Sequence, residues 1–277
     1  MGPVEFTTAV LFTSVVAGLL GALTGLGGGV VVVPVLALLF HVDLRYAIGA
    51  SLISVIATSS GAAVSYVREG LSNVRIGMFL EVATTVGALV GAYLTARVST
   101  QAIGIIFGIT LLYSAWSSFH HKGDEMPQRP NALAQKLKLV GDYPAENGPQ
   151  AYIAQNVPAG FGIMFVAGVL SGLLGIGSGA VKVLAMDHAM KLPFKVSTTT
   201  SNFMIGVTAA ASAGIYLSRG YVAPGLAAPV MLGVLAGSLA GARMLVRIRV
   251  PVLRILFAVV IVVLGIEMIY SGATGRL

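Results

Sequence analysis

The chain has 277 residues, 56% of them hydrophobic and only 10% charged, with a mean hydropathy of +0.91 and a formal net charge of +7. That composition excludes a soluble globular domain and predicts an all-α polytopic membrane protein. The absence of cysteine excludes disulfides, thiolate metal sites and cysteine nucleophiles, and the basic residues sit singly at the ends of apolar segments, where topology explains them and nucleic acid is not an expected partner.

Eight apolar stretches run in order at about 7–40, 46–67, 75–96, 101–119, 157–190, 196–217, 222–246 and 251–270. Six have the length of one spanning helix, about 20 residues for a hydrocarbon core of about 30 Å. The first and fifth are longer, and glycine breaks each of them. The first lacks a basic n-region and a small-residue cleavage site, so it reads as a retained segment rather than a signal peptide.

Those two stretches are copies. Gly18-Leu-Leu-Gly-Ala-Leu-Thr-Gly-Leu-Gly-Gly-Gly29 reappears as Gly168-Val-Leu-Ser-Gly-Leu-Leu-Gly-Ile-Gly-Ser-Gly179, 150 residues on. The offset continues without a gap: Ser51 falls on Ser201, Thr58 on Thr208, Tyr66 on Tyr216 and Gly70 on Gly220. Gly87, Gly91 and Arg97 fall on Gly237, Gly241 and Arg247. A duplicated unit that opens on a broken hydrophobic helix is how many carriers build a mid-membrane site.

Three boundaries follow: a first transmembrane repeat at 1–119, a polar linker at 120–156, and a second repeat at 157–277. Each broken stretch is a tilted helix, a re-entrant hairpin or two half-helices, and charge chooses among them. If both stretches cross once, lysine and arginine divide evenly between the two sides. If both return, Arg68, Arg75, Lys122, Arg129, Lys136, Lys138, Lys191, Lys195, Arg243, Arg247, Arg249 and Arg254 share one side. Only Arg45, Arg97, Arg219 and Arg276 lie opposite, with Lys182 inside the membrane. The positive-inside rule favours the returning arrangement, which makes the halves inverted repeats with a cytoplasmic linker and both termini outside. In the linker, Leu133, Leu137 and Val140 beside Lys136 and Lys138 suggest a short basic amphipathic helix or a solvated turn or two.

Glycine clusters let backbone amides and the positive end of a half-helix face one point, which suits an anion. Gly27, Gly28 and Gly29 offer this from one half, and Gly177, Ser178 and Gly179 from the other. The bland alternative is close helix packing, the role expected of the 87/91 and 237/241 pairs. Lys182 follows three residues later, far from any polar boundary, where a lysine faces a cavity or a partner. Its rival role is an ion pair with Glu81, Asp187 or Glu267. Ser201 and Asn202, within Ser197-Thr-Thr-Thr-Ser-Asn202, are candidate neutral donors, with Ser51 opposite; helix capping uses only part of that supply. Glu81 and Asp187 are intramembrane acids suited to proton coupling. The four histidines are too scattered for a metal site, and no cofactor is expected. A Ser–His enzyme is disfavoured, because His188 lies ten residues from Ser178, about 15 Å along a helix.

The doubled glycine motif, Pro34, the paired small residues, and the runs Gly175-Ile-Gly-Ser-Gly-Ala-Val-Lys-Val-Leu-Ala-Met-Asp187 and Lys195-Val-Ser-Thr-Thr-Thr-Ser-Asn-Phe-Met204 resemble the TauE/SafE family. The second copy departs from the pattern, with Ser178 for the middle glycine and Leu184 for proline, so its geometry is not expected simply to copy the first. The resemblance implies a carrier in the cytoplasmic membrane for sulfite or an organosulfonate such as sulfoacetate. Thiosulfate or a carboxylate is the alternative cargo, and an enzyme or scaffold a more distant one. The expected partners are the anion and the lipid bilayer, and a homo-oligomer is compatible with the sequence.

Overall fold

The computed structural model describes residues 2–24, 28–68, 72–119, 131–145, 148–245 and 250–276. Apolar residues on every face and a backbone that must satisfy its own polar groups in lipid produce helices almost throughout. The first half contains α1 (Pro3–Thr24), α2 (Gly29–Leu38), α3 (Leu44–Arg68), α4 (Val74–Leu94) and α5 (Thr100–Phe119). The linker adds α6 (Ala132–Lys136) and a hairpin of β1 (Val140–Ala145) with β2 (Gly148–Ile153). The second half contains α7 (Val157–Leu174), α8 (Gly179–Leu184), a π-helical turn at Ala185–Ala189, α9 (Phe194–Ser218), α10 (Pro224–Leu245) and α11 (Val250–Thr274). By length and composition, α4 and α7 and the apolar cores of α1 and α10 are long enough to cross a membrane.

Local chemistry sets the ends. Asn73 caps α4 by accepting from the amide of Ile76 at 3.0 Å. Gly220, at φ +74°, closes α9, and the Tyr221 amide donates back to the Tyr216 carbonyl.

Both broken stretches fold back on themselves. Phe6 of α1 meets Phe40, just past α2, edge to face at 5.6 Å between ring centroids. In the second copy the Gln155 amide donates to the Met190 carbonyl at 2.8 Å, so the two ends of the stretch lie side by side. The re-entrant arrangement that the charge count favours is the one observed. The two breaks differ locally, as the substitutions in the second copy lead one to expect. Gly175, Gly177 and Ser178 all have positive φ, whereas Gly28, the counterpart of Ser178, is right-handed at φ −63°. Where the first copy continues as α2 through Pro34, the second loosens into the π turn.

The halves pack by exchanging partners. α1 lies on α10 and α7 on α4; α3 lies on α9, and α5 on α11. The glycine crossings give directions. Gly168 and Gly172 face the carbonyls of Thr84 and Ala88, so α7 runs parallel to α4. Gly233 and Gly237 face those of Leu11 and Val15, so α10 runs parallel to α1. Gly108 faces Gly265 while Gly272 faces Gln101 and Ile105, so α5 and its repeat mate α11 are antiparallel. The small-residue pairs therefore do the packing expected of them: Gly87 and Gly91 sit on the carbonyls of Phe165 and Val169, and Gly237 on that of Val15.

The linker hairpin departs from the helical pattern. The helix there has only five residues; Ala134 and Leu139 point inward while Leu133, Leu137 and Val140 are exposed. Tyr143 and Tyr152 tuck the hairpin into a cluster with Ile76, Leu80, Met186 and Met190. The Asn73 amide donates to the Tyr152 hydroxyl at 2.8 Å, and burial holds that phenol's pKa above its ordinary value.

Candidate functional site

The two glycine breaks converge. A Cβ on Gly29 would lie 2.6 Å from Ser51 Oγ and 3.1 Å from the Gly175 carbonyl oxygen, so tips from both halves meet beside α3. Ser51 donates to that carbonyl at 2.8 Å. Its repeat mate Ser201 donates to the Gly179 carbonyl at 3.2 Å. Both hydroxyls are thus engaged with backbone carbonyls at the break, Gly175 at the C-cap of α7 and Gly179 at the start of α8. Ser178 Oγ, by contrast, is buried with no hydrogen-bond partner, and the residue is 2% exposed. Its left-handed backbone, φ 49° without being glycine, costs about 1–2 kcal/mol, the kind of strain that collects at functional positions.

One turn beyond Ser178, whose carbonyl accepts from the Lys182 amide, Lys182 is completely buried in α8. Its Nζ donates to Thr208 Oγ1 on α9 at 2.5 Å. The Thr208 hydroxyl donates in turn to Glu81 Oε1 on α4 at 2.7 Å, and Thr85 donates to the same oxygen at 3.1 Å. Glu81 Oε2 is buried without a partner. Of the three acids the sequence offers Lys182, the structure pairs it with Glu81, and through a hydroxyl rather than by direct contact. Removing one member of such a pair leaves an uncompensated buried charge, costing about 3–5 kcal/mol.

The remaining sequence candidates fall elsewhere. Asp187 lies in the π turn at the linker end of the re-entrant segment, 3.7 Å from His188 Nε2. Glu267 is exposed on α11. Asn202 is half-buried on α9, one residue past Ser201. Gly27 lies outside the described residues. Thr208 is the site residue that sequence reasoning passed over. The signal was present, since Ser197, Ser201, Thr208 and Ser212 repeat at helical spacing and form one buried stripe along α9. Tyr216 continues that side of the helix, its hydroxyl 2.8 Å from Thr95 Oγ1 and donating to the Gly172 carbonyl at 3.1 Å, just before the break.

The charged elements are not duplicated: Lys182 belongs to the second half and Glu81 to the first. Val32 and Met231 stand where the repeat would place a second lysine and a second glutamate. A nearly two-fold scaffold therefore holds one asymmetric polar centre. Among the described residues no cluster of three or more metal-binding side chains occurs.

A polytopic helical membrane protein with paired glycine breaks and a buried lysine beside one of them is the class that fold and site define. The chain belongs to the Sulfite exporter TauE/SafE family, whose pattern it matches over residues 10–268. It is similar to the probable membrane transporter protein YunE of Bacillus subtilis, 27% identical over 93% of this chain and 95% of that one. It is also similar to the probable membrane transporter protein YdhB of the same organism, 26% identical over 82% of this chain and 85% of that one. No solved structure matches it.

Proposed function

We propose that this membrane transporter carries a small sulfur oxyanion, sulfite or an organosulfonate such as sulfoacetate, across the cytoplasmic membrane by alternating access at Lys182. The observation that carries this reading is a fully buried ammonium with no carboxylate in direct contact among the described residues, one helical turn from a hydroxyl unpartnered among them. In lipid such a charge is kept for function. The amides of Gly28 and Gly29 and of Gly177 to Gly179 complete the cradle, and Ser51, Ser201 and Asn202 line its edge. The antiparallel run of α5 and α11 supports inverted halves, and the basic linker side is the cytoplasmic one.

The test is labelled sulfite flux in proteoliposomes for the native protein and Lys182→Met. Saturable flux, competed by sulfoacetate and lost in the variant, is the expected result. Flux that survives Lys182→Met unchanged removes the lysine from the site. Flux of thiosulfate or a carboxylate in preference to sulfite keeps the carrier and replaces the cargo.

A further inference from the structure

We infer that Glu81 is the internal anion that the transported one displaces, and that it takes up one proton per anion as it is displaced. The inference rests on the carrier reading above and adds its coupling. The argument starts from the carboxylate's two oxygens. Glu81 Oε1 accepts from Thr208 and Thr85, while Oε2 is buried and accepts from none of the described residues, in a residue only 4% exposed. A carboxylate kept purely to hold a fold has both oxygens satisfied, because an orphaned charged oxygen in a dry interior is costly. Oε2 is the vacant position where a proton sits when the charge is no longer wanted.

The surroundings leave one control over that charge. α7 has no titratable residue between Val157 and Leu174. On α9 the charged residue is Lys195, in its first turn, with Arg219 just past its end, and on α4 itself the other is Arg75, in the first turn. Lys182 is thus the one charge that faces Glu81 among the described residues, and Thr208 relays it. With the site empty the two charges cancel. An anion that takes over the ammonium leaves Glu81 beside a second negative charge with its counter-ion removed. Both changes favour the neutral acid, so the proton comes in with the anion. Thr208 serves both states, since its hydroxyl donates to the carboxylate or turns its proton to the Met204 carbonyl, which lies 3.0 Å away.

The experiment adds sulfoacetate, which does not itself titrate near neutral pH, to weakly buffered purified protein and follows binding and proton uptake together. The native protein is expected to take up about one proton per anion, with affinity falling as pH rises, by up to about tenfold per unit. Glu81→Gln is expected to bind with no proton uptake and a flat pH profile, and to exchange anion across liposomes without pH-driven accumulation. Binding without proton uptake in the native protein, or uptake that persists in Glu81→Gln, overturns the inference and leaves the carrier standing. Absence of both sulfite and sulfoacetate binding from folded protein overturns the carrier reading and this inference with it. The native measurement decides the matter alone if the variant does not fold.

Discussion

The crossing of α4 with α7 makes a sharp demand that one methyl group can test. A Cβ on Gly172 would collide with the Ala88 carbonyl oxygen and stand 2.8 Å from the Ala92 amide nitrogen. Relaxed contacts between such atoms are about 3.5 Å, so the helices must part by roughly 1 Å where Gly168, Gly87 and Gly91 already hold them together. The obstacle is backbone, which no rotamer change moves aside. Gly172→Ala should therefore cost about 3 kcal/mol, the upper end of the usual overpacking range. Gly162 supplies the control on the same helix, because a Cβ there meets nothing within 4 Å. Gly162→Ala should be neutral or stabilise by up to about 1 kcal/mol through helix propensity. Equilibrium unfolding of both variants in mixed micelles measures the difference. Equal midpoints would refute the claim that close backbone contact at this crossing holds the halves together.

Two further outcomes are expected. Single cysteines introduced at the two termini of this cysteine-free chain should both react with an impermeant reagent applied outside cells, while one at position 133 should not; labelling of 133 alone would reverse the orientation. Tyr152→Phe should release the linker hairpin and speed its proteolysis, since it removes the 2.8 Å contact with Asn73. In the native protein the raised phenol pKa makes that docking independent of pH below the ordinary value of 10.0 and weaker as pH climbs past it, which hydrogen exchange over residues 140–153 can follow.

Much of the architecture was written in the sequence, because glycine spacing and basic residues report directly on backbone and topology. The doubled motif marked both breaks, and the lopsided count of lysine and arginine implied that each stretch returns, as Phe6 with Phe40 and Gln155 with Met190 show. The linker hairpin was illegible, since Pro144 and Pro149 face each other across it and argue against strands. Its formation follows from what Tyr143 and Tyr152 bury, a tertiary effect with no local signal. Lys182 and Glu81 stood out as charges in apolar runs. The link between them did not, because a threonine in a membrane helix looks ordinary until another element aims a charge at it. Ser51 and Ser201 show the converse: hydroxyls at helix starts look free in sequence, and the carbonyls of Gly175 and Gly179 claim them.

The parallel crossings join α1 to α10 and α4 to α7, so every close glycine contact between them links one half to the other. Neither half fills its own grooves. During synthesis the first half must wait in the bilayer with Gly18 uncovered until Val234 arrives on the penultimate helix. Cut at the linker, either half alone would keep those glycine faces bare, so the two halves should be stable only together.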